Sequence, residues 1–317
     1  MTLITENIDL VINDLIKGNP VALPTETVYG LAANSLNPDA VLRIFKIKRR
    51  PHFDPLIVHI SDISEINKYC RNIPDDVFKL SEKLSPGPIT YVIKKRKIIH
   101  DLVTSGLKTV AIRIPSHPLF LRVLKEIKFP LSAPSANLFG RISPTSAKEV
   151  LKELNGKINY ILDGGKCRIG IESTILGFID GEIIILRPGY ITKSEIENIL
   201  GKKIFFRKHH GAVLSPGLMK SHYAPRTPLY FIEGYINNKA LLKYNAGFFD
   251  ISKYKSLNNI ASNLFSELRK FDEKNFDFII TERVINSGIG YAINDRLEKA
   301  SSGTIKFEGN AIIFNKK

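Results

Sequence analysis

The chain has 317 residues, 44% hydrophobic and 24% charged, and its 46 Lys and Arg against 31 Asp and Glu give a formal net charge of +15. That length supplies one large and one smaller core, or two similar domains, as in a globular enzyme. Cys70 and Cys167 are the only cysteines, which excludes a disulfide framework or a cysteine-based zinc site. No apolar run reaches the ~18 residues of a membrane span, and the N-terminus, with Glu6 and Asp9, lacks the basic-then-apolar order of a secretion signal. The expected location is the cytoplasm, away from membranes. The positive charge favours polyanions such as nucleotides, RNA or anionic lipid, although the richness in Lys, Ile and Asn is also what a base-composition bias produces.

Apolar residues recurring at three and four predict a first helix through Ile8, Val11, Ile12, Leu15 and Ile16, and a second through Val41, Leu42, Ile44 and Phe45 after Pro38. Apolar β-type runs follow at 21–23, 56–60, 89–93, 110–114, 160–162, 173–178 and 183–186. Thr192-Lys193-Ser194-Glu195 has the spacing of a capping box. The alternation predicts an α/β domain with a mixed sheet over residues 1–207. From Lys208 to Thr227 the pattern breaks into Gly, Ser, Pro and His, which reads as a linker. Beyond it, strand-like runs at 229–232, 246–249, 276–280 and 311–314, with amphipathic segments near 260–271 and 290–300, predict a smaller α/β domain over 228–317. There Gly288-x-Gly290 lacks the third glycine of a dinucleotide loop and reads as a tight turn opening a helix.

Three segments carry chemistry: Pro24-Thr25-Glu26-Thr27-Val28-Tyr29-Gly30-Leu31, Lys48-Arg49-Arg50-Pro51, and Ser132-Ala133-Pro134-Ser135-Ala136-Asn137. A hydroxyl-rich strand end, a basic turn and a small-residue hydroxyl loop together read as a split nucleotide site without a Walker loop. Thr25 and Thr27, in strand alternation, would form one polar ledge. Lys48 and Arg50, two apart in an extended turn stiffened by Pro51, would face the same way and clamp phosphates; a solvated basic turn is the plainer alternative. Arg113 ends the run from Val110 on a face shared with Ala111 and Thr109, so its charge needs a partner, either a ligand carboxylate or an internal acid.

These motifs, with Asp163-Gly164-Gly165, Gly170-x-Glu172-Ser173-Thr174, Leu186-Arg187-Pro188-Gly189, Ser215-Pro216-Gly217 and His222-Tyr223-Ala224-Pro225, resemble the YrdC/Sua5 family of L-threonylcarbamoyladenylate synthases in its long form. The resemblance implies a YrdC-like domain with a twisted mixed sheet and flanking helices over 1–207, a linker over 208–227, and a smaller Rossmann-like α/β domain over 228–317. It implies that Thr25, Thr27, His59, Arg113, Ala133 (through its backbone) and Ser173 hold L-threonine. It assigns Lys48, Arg50, Asp54, Thr109, Ser135, Asn137, Ser143, Arg187 and Tyr223 to ATP, with Lys48 and Arg50 as the catalytic cations, and brings Mg2+ in on the ATP phosphates. Asp54 stands where relatives often have Asn, and residues 218–221 depart from the Met-Lys-Tyr-Arg common in relatives. Tyr223 would reach the nucleotide from a linker folded over the site.

The implied reaction joins L-threonine, bicarbonate or carbon dioxide, and ATP into threonylcarbamoyladenylate and pyrophosphate, for a downstream transferase machinery that modifies the adenosine beside the tRNA anticodon. An RNA-binding module without adenylate synthesis, holding duplex RNA or tRNA on a basic face, is the alternative. A hydrogenase-maturation carbamoyltransferase, which shares a YrdC-like domain, is disfavoured by the missing zinc-finger cysteines.

Overall fold

Strand and helix alternate along most of the chain because short β-branched runs are separated by capped amphipathic segments. The computed structural model describes residues 1–179, 181–207 and 222–317. Most of the expected linker, Lys208 to Ser221 with Ser215-Pro216-Gly217, lies outside the described residues. The described residues divide into two compact units: residues 1–139 with 143–207, and residues 140–142 with 222–317.

The strands of the first unit are β1 (Leu3–Thr5), β2 (Val21–Leu23), β3 (Gly30–Asn34), β4 (Ile57–His59), β5 (Ile89–Lys94), β6 (Thr109–Arg113), β7 (Leu131–Ser132), β8 (Tyr160–Leu162), β9 (Thr174–Ile179), β10 (Glu182–Arg187) and β11 (Phe205–Phe206). Its helices are α1 (Ile8–Ile16), α2 (Pro38–Lys48), α3 (Ile66–Tyr69), α4 (Asp75–Leu84), α5 (Asp101–Thr104), α6 (Pro118–Ile127), α7 (Ala147–Leu154) and α8 (Lys193–Leu200). Asn7 caps α1 by accepting from the amides of Asp9 and Leu10. Asn37 caps α2 with Pro38 in the first turn. The expected capping box forms at Thr192 and Glu195.

The strands form a single mixed sheet in the order β1-β8-β2-β3-β7-β4-β6-β5-β9-β10-β11. Strand alternation gives it two faces. On one, Val58, Tyr91, Ile112 and Leu176 pack with Ile44, Leu80, Val150 and Ile196 of α2, α4, α7 and α8 in the main core. On the other, α1 and α6 cover the β2–β3–β7 half through Val11, Leu15, Phe120 and Val123. Further along that second face, Ile57, Val92, Ala111, Ile175 and Leu186 form a small apolar cluster to which no described helix contributes. The sheet therefore presents an apolar floor flanked by polar strand ends.

In the second unit β12 (Leu229–Glu233), β13 (Ala246–Phe249), β14 (Phe278–Thr281), β15 (Gly303–Glu308) and β16 (Ala311–Lys316) stand in the order β13-β14-β12-β15-β16. The strands β12 to β15 pair in parallel and β16 runs antiparallel to β15. The crossovers carry α9 (Asn238–Leu241), α10 (Leu257–Asp272) and α11 (Gly290–Ala300), as in a small Rossmann-like sheet. A Cβ on Gly290 would fall 2.0 Å from the Ile285 carbonyl oxygen, so this glycine serves close approach at the helix start, as the missing third glycine implied. No helix among the described residues is long and apolar enough to cross a membrane.

The motif glycine Gly189 locks β9 to β10: a Cβ there would lie 2.3 Å from the Thr174 amide nitrogen and 2.4 Å from the Ser173 carbonyl carbon. Gly189→Ala is expected to destabilise the first unit by ~2–4 kcal/mol. Hydrogen exchange should show faster exchange of β9 and β10 amides, with those of β12 to β15 unchanged; unchanged β9 protection would refute the packing argument.

Candidate active site

The chain leaves β2 at Leu23 and turns through Pro24 to Tyr29. Thr25 and Thr27 are buried and their hydroxyls lie 2.8 Å apart. They meet through a turn, which corrects the expectation of a strand ledge. The Thr25 hydroxyl accepts from the amides of Thr27 (3.0 Å) and Val28 (3.1 Å) and donates to the Val28 carbonyl (2.6 Å). With its proton so used, it accepts from Thr27. The Thr27 oxygen in turn accepts from Arg113 Nη2 at 2.9 Å.

Arg113 ends β6 on the second face of the sheet, 4% exposed. Its Nη2 also donates to Glu26 Oε1 at 2.8 Å, and Glu26 Oε2 accepts from the Ser116 amide at 3.2 Å. The internal acid considered from the sequence is thus present, and it is Glu26. Arg113 Nε is buried and has no hydrogen-bond partner among the described residues. A buried guanidinium whose Nε–H is unused is poised to take an anion. His59 lies beside it, paired with Arg113 in the parallel β4–β6 register. Its Nδ1 sits 3.3 Å from the Leu131 carbonyl and its ring packs on Phe120 at 5.2 Å. Burial first, and the Arg113 charge second, push the imidazole down to about 3, so it is neutral near pH 7. Ala133 borders the same corner, its amide donating to the Ile57 carbonyl at 3.1 Å.

The polar row continues across the sheet. Thr90, one position from the Tyr91–Ile112 pair, has its hydroxyl 2.8 Å from that of Ser173. The Ser173 carbonyl accepts from Arg187 Nε (3.2 Å) and Nη2 (2.9 Å). The Ser143 hydroxyl donates to Glu172 Oε1 at 2.6 Å. His59, Arg113, Thr90, Ser173 and Arg187 therefore line one border of the apolar floor built on Ala111 and Ile175.

The basic segment differs from the expected extended turn. Helix α2 runs to Lys48, and Arg49, at φ 52°, closes it in the left-handed conformation. Lys48 is 1% exposed and its Nζ donates to the carbonyls of Ser135 and Asn137, each at 2.5 Å. Burial, then the Arg50 charge, hold its ammonium well below the usual lysine range. Lys48 thus pins the 132–137 loop. Arg50 Nε donates to the Asp54 carbonyl (3.0 Å) and Nη2 to the Pro55 carbonyl (2.8 Å). Nη2 also lies 2.9 Å from Asp54 Oδ2, yet neither Asp54 carboxylate oxygen accepts a hydrogen bond among the described residues. We regard this as charge pairing with poor alignment. Burial raises the Asp54 carboxyl, while Arg50, Lys48 and Arg187 oppose that rise, which places Arg187 near this group. Among the described residues no three His, Cys, Asp or Glu side chains gather to hold a metal.

Thr109 shares the face of Ala111 and Arg113 but opens β6 at the other end of the floor, pairing with Lys94. Tyr223 belongs to the second unit, 1% exposed, with its ring stacked on Phe265 at 5.4 Å and under the Arg296 guanidinium at 5.5 Å. The neighbouring end of the expected linker is likewise built into that unit: Ala224 bonds to Gly140, and Arg226 and Thr227 bond to Asp272.

Sequence reasoning passed over Glu26 and Tyr29. The Tyr29 hydroxyl donates to the Gly165 carbonyl at 2.8 Å and accepts from the Gly164 amide at 3.1 Å, tying the first motif to Asp163-Gly164-Gly165. The signal for Glu26 was its place between two threonines in an otherwise apolar stretch, where an acid needs a buried cation.

Residues 13–189 match the family described as telomere recombination (Sua5, YciO and YrdC), and residues 191–302 match the threonylcarbamoyl-AMP synthase C-terminal domain. The chain belongs to the Sua5/YciO/YrdC family. It is 41% identical over 312 residues to the threonylcarbamoyl-AMP synthase of Bacillus subtilis, covering 90% of each chain. It is 36% identical over 309 residues to that of Pyrococcus abyssi, covering 90% of this chain and 91% of the relative. The crystal structure of P. abyssi Sua5 complexed with L-threonine superposes with a TM-score of 0.89 at 34% identity, covering 97% of this chain and 100% of that one.

His59 carries a sign that can be checked. Its folded value, about 3, is below its ordinary 6.5, so the unfolded chain takes up the proton first. The stability it contributes is complete above pH 6.5 and is lost as pH falls from there toward 3, at ~1.4 kcal/mol per pH unit at most. Imidazole NMR signals of His59 should stay in the neutral form from pH 8 to pH 5; titration near pH 6.5 would refute its burial.

Proposed function

We propose that the chain is a threonylcarbamoyl-AMP synthase, which joins L-threonine, bicarbonate or carbon dioxide, and ATP into L-threonylcarbamoyladenylate and pyrophosphate for tRNA modification. Family membership supports the reaction, and the similarity to P. abyssi Sua5 complexed with L-threonine supports L-threonine as a substrate. The observation that carries the reading to this chain is the buried Arg113, held by Glu26 and Thr27 with its Nε unused. A substrate carboxylate would take that N–H. The Thr27 hydroxyl, neutral His59 and the Ala133 backbone would border the amino acid, with Ser173 closing the side toward Arg187.

The threonine amine would add to carbon dioxide, formed from bicarbonate with loss of water, and give up a proton to solvent to make a carbamate; a carbamate oxygen then attacks the α-phosphorus as the bond from that phosphorus to the α–β bridging oxygen breaks and pyrophosphate leaves with the bonding pair. Charge grows on phosphoryl oxygens, so the cations Arg50 and Arg187 would stabilise it electrostatically. Lys48 would act in part by fixing the Ser135 and Asn137 carbonyls, which shape the nucleotide loop. The apolar floor of Ile57, Val92, Ala111, Ile175 and Leu186 gives a base or ribose a dry surface, with Thr109 at its far rim and Ser143 on its border. Mg2+ on the phosphates would add charge neutralisation. Tyr223 and the second unit, with the boundary at residues 208–227, are assigned to the nucleotide side by family resemblance. Cytoplasmic location and hand-over to a tRNA-modifying transferase complete the proposal. Adenylate synthesis is favoured over an RNA-binding module because the buried polar row has the makeup of an amino-acid and nucleotide site.

Purified protein with ATP, magnesium and bicarbonate should release pyrophosphate in a threonine-dependent manner. Arg113→Gln should raise KM for threonine ~100-fold or more and leave KM for ATP nearly unchanged. Lys48→Ala and Arg50→Ala should lower kcat and raise KM for ATP. Release that ignores threonine, or no release with serine, glycine or threonine, would refute the assignment.

A further inference from the structure

Asp54 is the only acid among the described residues whose two carboxylate oxygens are both buried and accept no hydrogen bond. Its side chain is 0% exposed. What surrounds it instead is positive charge. Arg50 Nη2 lies 2.9 Å from Oδ2, and Lys48 at the end of α2 and Arg187 at the end of β10 act on the same carboxylate. A further acid, Glu153 of α7, acts on Lys48. A carboxylate out of water and without hydrogen bonds keeps its charge only through such cations.

The carboxylate cannot swing away without undoing the turn that carries it. The Asp54 amide donates to the Pro51 carbonyl at 3.2 Å, the Asp54 carbonyl accepts from Arg50 Nε at 3.0 Å, and the Pro55 carbonyl accepts from Arg50 Nη2 at 2.8 Å. The arginine that offsets the acid thus also fixes its backbone. On the proposed function, on which this inference rests, Arg50 faces the ATP phosphates. Two anions on one guanidinium fall within the ~4–6 Å over which like charges raise each other's pKa. Burial already raises the Asp54 carboxyl, with Arg50 first among the cations that oppose the rise. A polyanion drawing on the same cations weakens that opposition.

We propose that Asp54 is an internal counter-ion that competes with the triphosphate for Arg50, and that Asp54 takes up one proton from solvent as the nucleotide binds. The neutral carboxyl then has an O–H to donate to a phosphate oxygen. Protonation, rather than withdrawal, resolves the competition because the backbone on both sides of Asp54 is held by Arg50 and Pro51. The bound state carries the extra proton, so affinity falls as pH rises, by up to ~tenfold per pH unit.

The test is calorimetric titration of the full chain with the α,β-methylene analogue of ATP, which cannot release pyrophosphate, with and without Mg2+. Buffers of different ionisation enthalpy, at several pH values between about 6 and 8, report the protons taken up. Comparison with Asp54→Asn removes the ionisation of the nucleotide itself. Wild type should take up about half a proton or more beyond Asp54→Asn. The variant should bind the analogue about tenfold or more tightly at the upper end of the range, an advantage that shrinks as pH falls. If Asp54→Asn does not fold, wild type still decides, since uptake no greater than the nucleotide's own ionisation requires would overturn the proposal. Equal uptake by the two proteins, or binding by Asp54→Asn no tighter than wild type, would also overturn it. Weaker binding by the variant confined to Mg2+ buffers would overturn it in favour of a carboxylate that holds the metal. Threonine-dependent pyrophosphate release without the extra proton would reject the linkage and leave the synthase reading standing. Proton-linked binding of the analogue without such release would reject that reading and leave the linkage. No binding of the analogue by either protein would overturn both.

Discussion

Burial of cationic side chains at the polar border of one sheet face is the constraint on which the first unit depends. Arg113, Lys48, Arg50 and Arg187 are each at most 6% exposed, and a charge removed from water demands compensation. Each solution builds something. Glu26 and Thr27 hold Arg113 and so shape the turn after β2. The carbonyls of Ser135 and Asn137 hold Lys48 and so fix the loop after β7. The carbonyls of Asp54 and Pro55 hold Arg50, which sets the path into β4, and Ser173 holds Arg187, which joins β9 to β10. The motifs most separated in sequence are thereby made interdependent.

The same compensation separates attraction from arrangement. Carbonyl oxygens satisfy hydrogen bonds without cancelling a full positive charge, which is the case of Lys48, whereas Arg50 is held both by carbonyls and by the Asp54 carboxylate. Glu26 does cancel charge, so the Arg113 corner is closer to neutral and selects by geometry. The apolar cluster of Ile57, Val92, Ala111, Ile175 and Leu186 lowers the local polarity on this face, which strengthens electrostatic interactions beside it. The Arg113 corner and the Lys48 loop therefore differ in how their charge is compensated, although both belong to one sheet.

Much of this was legible in the residues. Strands such as β5 and β6 are long apolar β-branched runs, and α1, α2 and the Thr192 cap carry periodicity and capping signals that local physics dictates. The short strands β1, β3, β7 and β11 escaped because two to five residues are too few to carry a period of their own, and β3 and β7 are further diluted by Gly, Ala or Ser; pairing to neighbours distant in sequence creates them. β15 escaped for a related reason, since Lys306 and Glu308 alternate outward on a strand that begins at glycine. Among site residues, the hydroxyls and cations were visible as types, but their partners were not. Whether Lys48 faces a ligand or a carbonyl is decided by the loop after β7, nearly ninety residues on. The meeting of Thr25 and Thr27 looked like strand alternation because both a strand and a tight turn bring residues i and i+2 to one side.

Arg49 carries a consequence for the motif around it. The residue between the two cations stops the helix at Lys48 and redirects the chain so that Arg50 can bend back on Pro55, and it does so at a backbone angle of φ 52°. Its side chain contributes nothing to that reversal; its backbone contributes everything. The spacing Lys-x-Arg therefore conceals a rule about x. Glycine and asparagine satisfy the rule at least cost, unbranched residues such as arginine or lysine tolerate it, and valine, isoleucine, threonine or proline violate it. A sequence that keeps both cations but places a β-branched residue between them would retain the letters of the signature while losing the geometry that gives it meaning.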